Sequence, residues 1–409
     1  MTKLISYNFP SLSVSTRGIN RARIISLIRT QPGLTRTDIS KQSGLSKGTI
    51  SKHVEELLNE GLLYEKSPGE SRQRNTKLWL NRNAGYAVGL ELSVDGCRGI
   101  LTDMELKILK QVRYNLPSTR VEETIELLKD IIQELTAGLE DQCLGVAIAV
   151  PGPTDVHGGT ILFSESLGWT DVPLANKLAA QISYPVTLIN RPRAGLWGEY
   201  WCGIGSGCDD LIYVSISSGI AAGILINGQL FTGAFGNSGE LGHTTILVDG
   251  LPCVCGNRGC LETVSSMPAI LQSITQQLQQ GSPSVLQEKY QQQKNIQYND
   301  VIEAARDGDG LVQDEIRNAG RYIGIAIANL IDLFNPSQVI IGGQLAEAGE
   351  IILNPIRFTA QRSAFPLSFS GVKIVRNSLG EDSVCVGACV LVVDQHIAEV
   401  EPAMMLTSE

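Results

Sequence analysis

The chain has 409 residues, of which 43% are hydrophobic and 18% charged, with a formal net charge of -9. That length suits two or three domains with sizeable cores, and no apolar run approaches the roughly 20 residues of a membrane-spanning helix. The opening MTKLISYNFPSLS lacks the basic-then-apolar pattern of an export signal. Nine cysteines, an odd number, argue for a reducing compartment, so a soluble cytoplasmic protein without membrane contact is expected.

The charge is divided. Residues 1–82 carry 14 Lys+Arg against 6 Asp+Glu, a net of +8, while the remainder carries 19 against 36, a net of -17. A basic head on an acidic body suits a nucleic-acid reader whose contact with phosphates is confined to the head.

Within the head, Ile24, Ile25, Leu27 and Ile28 mark the apolar face of a first helix that ends near Pro32-Gly33. Thr35 or Thr37 can cap a second helix carrying Ile39, and Gly44-Leu45 makes the turn. Ser46 caps a third helix whose inner face is Ile50, Val54, Leu57 and Leu58. Its opposite face offers Lys47, Ser51 and Lys52, with Thr49 and His53 to the sides. The pattern is that of a helix-turn-helix whose third helix enters the major groove of double-stranded DNA; the plainer alternative is a three-helix protein-interaction domain. After Gly61, LLYEK and TKLWL read as two strands around the polar tip SPGESRQRN. That hairpin resembles the wing of a winged helix, with Arg72 and Arg74 placed to reach phosphate or the minor groove. The candidate DNA contacts are therefore Ser46, Lys47, Thr49, Ser51, Lys52, His53, Arg72 and Arg74.

Beyond Asn83, strands alternate with helices. YAVGLELS, RGILTD and KILKQVRYNL read as a strand meander, VEETIELLKDIIQEL as a helix, and LGVAIAV as a buried strand ending in the loop Pro151-Gly152-Pro153. PVTLIN is a strand closed by Asn190, with the helix RAGLWGEYWCG after it. DLIYVSIS and AAGILING make a strand pair around Ser218-Gly219, and QVIIGG is a strand preceded by the long apolar helix IRNAGRYIGIAIANLIDLF. The glutamine-rich segment from about 272 to 297 reads as a solvated helix and loop. This order implies an α/β body of two lobes with a cleft between them.

The densest chemistry lies in ELGHTTILVDGLPCVCGNRGCLE, residues 240–262. His243 is followed after nine residues by Cys253, after one more by Cys255, and after another four by Cys260. One imidazole and three thiolates suit tetrahedral zinc, and Gly250, Gly256 and Gly259 let a short loop wrap the ion. Four protein ligands leave no open position for water, so the expected role is structural. Glu240 and Glu262 flank the site, and the metal would set the geometry between two carboxylates.

The reading head joined to GVAIAVPGPTD, ELGH, CVCGNRGCLE and LFNPSQVIIGG resembles the ROK family, which groups sugar-responsive repressors and sugar kinases. The likeness covers the whole chain and is closest to the family's xylose, N-acetylglucosamine and glucose repressors. It implies an α/β chain in which an N-terminal winged helix-turn-helix, residues 1–82, precedes a two-lobed actin-like (ribonuclease-H-like) sugar-kinase fold. The first lobe would span 83–190, completed by a C-terminal helix at about 383–400, and the second lobe, with the zinc loop, 191–382.

By that resemblance, Glu240, His243 and Glu262 contact sugar hydroxyls, a task that suits carboxylates because they accept two directed hydrogen bonds. Asn190 and Gly152 would complete the sugar site. The kinases follow that asparagine with an aspartate that activates the attacking hydroxyl; Arg191 stands there and cannot accept a proton. Where they use an acidic residue and a Gly-Gly-Thr type turn to cradle phosphate, this chain reads Glu91-Leu92-Ser93-Val94-Asp95. Their Gly-Thr-Gly loop reads Ser217-Ser218-Gly219, although Gly342-Gly343 persists. No catalysis is therefore expected, and an ATP-dependent sugar kinase with an added DNA-binding domain is the alternative. The expected effector is a monosaccharide, sugar phosphate or sugar acid; Arg191 could clamp either charged form bidentately, unless it pairs with Glu240 or Glu262 or turns into solvent. A homodimer or tetramer that binds an operator and releases it on binding its effector is expected. A protein partner is a lesser possibility.

Overall fold

The computed structural model describes residues 16–66, 76–155 and 159–398. Its first elements are α1 (Thr16–Thr30), β1 (Leu34–Thr35), α2 (Arg36–Ser43), α3 (Lys47–Asn59), β2 (Leu63–Lys66) and β3 (Lys77–Leu80). Thr35, not Thr37, caps α2: its side chain accepts from the Asp38 N–H while Asp38 reaches back to the Thr35 backbone. Gly44 ends that helix at φ 71°, where a side chain would be strained. Ser46 caps α3, accepting from the Thr49 N–H at 3.1 Å. Ile24, Ile25, Ile28, Ile39, Ile50, Val54, Leu57 and Leu78 form the small core under these caps, while Leu58 is only partly buried. β2 and β3 pair antiparallel, and β3 lies between β1 and β2. The tip of this hairpin, with Arg72 and Arg74, lies outside the described residues.

The chain divides into two compact units. The first runs to Trp201 and also takes in Asn227–Leu230 and the residues from Val384; the second holds Cys202–Ile226 and Phe231–Ser383. The boundary expected at 190/191 thus falls after Trp201, and the head forms one unit with the lobe that follows it. Packing explains both differences. The helix that begins at Arg191 crosses the C-terminal helix at Gly387, where a Cβ would lie 1.7 Å from the Ala194 carbonyl oxygen. The head is tied to that same C-terminal helix by two arginines described below.

In the first unit, β4 (Tyr86–Ser93), β5 (Gly96–Asp103), β6 (Ile108–Tyr114), β7 (Cys143–Val150) and a later strand form one sheet. Between them, α4 (Val121–Thr136) lays Ile125, Leu128, Ile131, Ile132 and Leu135 on the sheet. The hairpin β8 (Ile161–Ser164) and β9 (Trp169–Val172) and helix α5 (Leu174–Ala179) lead to β10 (Val186–Asn190) and α6 (Arg191–Cys202). The sheet order is β10-β7-β4-β5-β6. β4, β7 and β10 are parallel neighbours, which is why LGVAIAV and VTLIN are apolar without alternation. The C-terminal helix Ser383–Ala398 packs on β4 at Gly89, where an added Cβ would sit 2.2 Å from the Cys385 carbonyl oxygen.

In the second unit, β11 (Leu211–Ile216) pairs antiparallel with β12 (Ile220–Ile226) and parallel with Gln338–Gly342, which pairs parallel with Lys373–Arg376. The helices Gly310–Phe334 and Glu350–Ser363 meet closely because Gly324 offers no Cβ; one would lie 2.7 Å from that of Thr359. The glutamine-rich stretch is less solvated than expected. Helix Met267–Gln279 buries Ile270, Ile274 and Leu278, and Leu286 and Ile296 also join the core.

Candidate functional site

Two clusters of candidate ligand residues and one exposed helix face carry the chemistry. In the second unit, residues 245–260 form a tight hairpin held by backbone hydrogen bonds: Ile246 to Gly259, Cys253 to Asn257 and Gly259 to Leu251. Gly259 has φ 70°, and a Cβ there would stand 1.6 Å from the Leu247 carbonyl oxygen, so only glycine closes this turn. The hairpin gathers His243, Cys253, Cys255 and Cys260 with their ligand atoms within 4.8 Å of one another. Cys255 Sγ and Cys260 Sγ are 3.7 Å apart, and Cys253 Sγ and His243 Nδ1 3.6 Å. Ligands about 2.3 Å from a tetrahedral ion stand roughly 3.8 Å apart, so the donor set fits a metal of zinc's size. Burial pushes the Cys253 and Cys260 thiols up, whereas the Asn257 backbone N–H draws Cys255 down. A bound cation would favour the thiolates of all three. Among the described residues this is the cluster of His, Cys, Asp and Glu that could hold a metal.

Glu262 is packed against that cluster. Its Oε1 lies 3.2 Å from His243 Nδ1 and 3.2 Å from Cys253 Sγ. Its Oε2 fills space left by two glycines: a Cβ on Gly242 would come within 3.2 Å of it and one on Gly219 within 3.7 Å. Glu240 precedes the short 3-10 turn Leu241–His243, and Gly239 before it approaches β12 so closely that a Cβ would sit 1.9 Å from the Ala222 carbonyl oxygen. Glu240, His243 and Glu262 are thus set by backbone close approaches around the cysteine hairpin.

In the first unit, the C-terminal ends of the parallel strands β4, β7 and β10 bring Glu91, Gly152, Asn190 and Arg191 together, the usual place for ligands in such sheets. Asn190 is 8% exposed and donates through Nδ2 to the Gly152 carbonyl oxygen at 3.0 Å. Gly152 adopts φ 86°, with its Cα against the Phe163 carbonyl. Arg191 does not turn to solvent, and its partner is neither of the glutamates anticipated. Its Nε and Nη2 meet Glu91 Oε1 at 2.8 and 2.6 Å. Sequence reasoning had placed Glu91 in a phosphate loop; the parallel register of β4 and β10, one strand apart, makes it the counter-ion instead.

The two stretches that replace the phosphate loops are both committed to protein contacts. β4 continues in the ladder through Ser93, paired with Gly96, and Ser93 Oγ donates to the Gly96 carbonyl oxygen. Ser217 N–H bonds to the Gly219 carbonyl, and Ser217 Oγ accepts from the Gln344 N–H.

On the head, Ser46, Lys47, Ser51 and Lys52 are exposed along one side of α3, and Thr49 is half-buried. His53 departs from expectation. It is buried, with Nδ1 3.2 Å from Glu56 Oε2, because it follows Ile50 by three residues and falls on the inner face. Two arginines of α1 escaped the sequence reading. Arg21 is buried, donating to the Ile397 carbonyl oxygen at 3.0 Å and pairing with Glu60. Arg29 stacks 4.2 Å above the Trp201 ring and faces Asp394, with Nη2 3.7 Å from Oδ1. Burial pushes the Asp394 carboxyl up to about 6, against the pull of Arg29 and a hydrogen bond from Trp197. The signal was present: Arg21 precedes Ile25 and Ile28 at helical spacing, so it had to lie in the apolar stripe.

Comparison with known proteins agrees with this architecture. The ROK family model matches residues 87–395, and a winged helix-turn-helix DNA-binding model matches residues 19–64. The xylose repressor of Bacillus spizizenii is 32% identical over 384 residues, covering 93% of this chain and 96% of the repressor. The crystal structure of a ROK family transcriptional regulator, a homolog of the E. coli MLC protein, superposes with a TM-score of 0.81 at 29% identity, covering 94% of this chain and 97% of that one. A ROK family glucokinase from Streptomyces griseus, solved with glucose and AMPPNP, superposes with a TM-score of 0.66 at 30% identity over 75% of this chain and 99% of its own. The kinase likeness thus covers 75% of the chain, and the regulators match nearly all of it. Matched by the ROK model over most of its length and by a winged helix-turn-helix model at residues 19–64, the chain belongs to the ROK family.

Proposed function

We propose that the protein is a sugar-responsive transcriptional regulator, acting as a repressor, with a sugar-kinase fold that binds its ligand without phosphorylating it. One observation carries the reading. The glutamates and histidine expected to meet sugar hydroxyls persist around the metal loop, while the position of the proton acceptor holds Arg191, engaged by Glu91. An arginine cannot take a proton from a hydroxyl at cellular pH. The two committed loops likewise leave their backbone N–H groups poorly placed to cradle ATP phosphates.

In this reading His243, Cys253, Cys255 and Cys260 hold a structural zinc, which when bound neutralises the thiolates and stiffens the hairpin. His243 turns Nδ1 toward the cluster, and Glu262, beside it, presents a carboxylate fixed by Gly242 and Gly219. Glu240, Glu262 and His243 accept and donate hydrogen bonds with sugar hydroxyls, and Asn190, anchored to Gly152, adds a further polar edge. Lys47, Ser51 and Lys52 face the operator, with Ser46 and Thr49 at the start of the helix; Arg72 and Arg74, expected from sequence to reach phosphate or the minor groove, complete the set. Two such heads in a homodimer or tetramer must match half-sites one or more helical turns apart, so a small rotation is enough to release DNA. The C-terminal helix ends against Arg21 and Arg29, which ties the head to the lobe that follows it. A ligand shifts this equilibrium only by its differential affinity for the two forms, typically about 1–3 kcal/mol.

The test uses the full chain, DNA upstream of its own gene and of the genes flanking it, and a panel of monosaccharides. Retarded DNA released by one sugar, with no ATP turnover in the presence of that sugar, is the expected result. Phosphate transfer from ATP at an enzymatic rate would establish the kinase alternative, and release by a protein with no small ligand would establish the partner-switched one.

A further inference from the structure

The reading just given leaves the charge of the ligand open, and the ends of β4 and β10 decide it. Resting on that reading, we propose that the Glu91–Arg191 pair is a specificity element that admits an uncharged monosaccharide and rejects sugar phosphates and sugar acids. Both contacts of Arg191 fall on one carboxylate oxygen, Oε1, through Nε at 2.8 Å and Nη2 at 2.6 Å. Among the described residues no partner engages Glu91 Oε2 or Arg191 Nη1. One open acceptor beside one open donor matches a hydroxyl, which both gives and takes a hydrogen bond.

An anion matches only half of this arrangement. A phosphate or carboxylate oxygen could accept from Nη1, but it brings no proton to Oε2 and sets a second negative charge beside Glu91. Both side chains are 15% exposed, so water screens that repulsion poorly. Drawing Arg191 away from Glu91 would instead leave a largely buried carboxylate without its counter-ion. The neighbouring donors offer no substitute clamp. Asn190 Nδ2 gives one of its two N–H groups to Gly152 and keeps a single neutral donor, the strand from Glu91 to Ser93 is paired in its ladder, and Arg98, opposite Glu91 in that ladder, is already engaged. The arginine that from sequence suggests an anion clamp is therefore neutralised in place.

The experiment is calorimetric titration of the full chain with D-xylose, D-glucose and N-acetylglucosamine, each against its phosphate ester, and with glucuronate. The wild type is expected to bind one uncharged sugar about tenfold or more tightly than its charged counterpart. Glu91→Gln frees Arg191 and should narrow or invert that ratio. The double variant Glu91→Gln/Arg191→Gln keeps a neutral hydrogen-bonding pair, is expected to retain the preference, and serves should the single variant fold poorly. Equal or tighter binding of the charged form by the wild type, an unchanged ratio in Glu91→Gln, or an anion preference in the double variant would overturn the proposal while leaving a sugar-responsive regulator intact. Binding of no carbohydrate in any form would overturn both.

Discussion

The two clusters of candidate ligand residues have different kinds of support. In the second unit, Glu240, His243 and Glu262 sit among glycines whose missing Cβ atoms let backbone approach to within contact, beside four metal-type ligands from one short segment. In the first unit, Glu91, Asn190 and Arg191 are held by side-chain bonds between strand ends far apart in sequence. The first arrangement is local and rigid, and retains the residues expected of a sugar site. The second is long-range and has been rewired, with an ion pair where a kinase needs a base. The proposed regulator tolerates this asymmetry: recognition needs one well-built face, and an arginine in place of the proton acceptor would remove turnover without removing binding.

The sharpest way to break the comparison is to dismantle the local cluster. Cys260→Ser is expected to reduce the metal content from about one zinc per chain to near zero, read by elemental analysis, and to abolish sugar-dependent release of DNA. Full metal content in that variant would show that the hairpin does not depend on its fourth ligand. A somewhat smaller effect is expected at the head. Arg29→Met leaves the buried Asp394 without its counter-ion and removes the stacking on Trp201, a loss of about 3 kcal/mol in chemical denaturation at pH 7.

The partner carboxylate tests a sign. Burial raises Asp394 to about 6, so its ionisation in the folded state costs stability: the contribution is complete below the ordinary aspartate value and is lost as pH rises through about 6. The stability difference between wild type and Asp394→Asn should therefore change between pH 4 and pH 7 and be flat above, as followed by thermal melts across that window.

Glu262→Gln should cost sugar affinity about 2 kcal/mol, or roughly thirtyfold, with DNA binding in the absence of sugar intact. If both are lost together, the carboxylate supports the fold and not the ligand. The smallest effect belongs to Lys52→Ala, which is exposed on α3. About 1 kcal/mol weaker DNA binding is expected, with the salt dependence reduced by one phosphate contact. His53→Ala, by contrast, should act through the stability of the head, as its burial against Glu56 implies.

Much of this molecule was legible in its sequence, and the boundary of legibility follows chain distance. The metal ligands lie within eighteen residues of one another, the caps Thr35 and Ser46 within three residues of what they bind, and the strands and helices within their own periodicity. Each of these signals is written in neighbours, where covalent geometry limits the options. What only the tertiary structure decided involves partners that the chain must travel to meet: Arg191 with Glu91, 100 residues away, and Arg21 with Ile397, 376 away. A side chain of either charge looks the same in a sequence whether it will face ligand, solvent or counter-ion. Sheet order and helix packing choose among these, because burying an arginine demands an acceptor and only the folded topology determines which one is in reach.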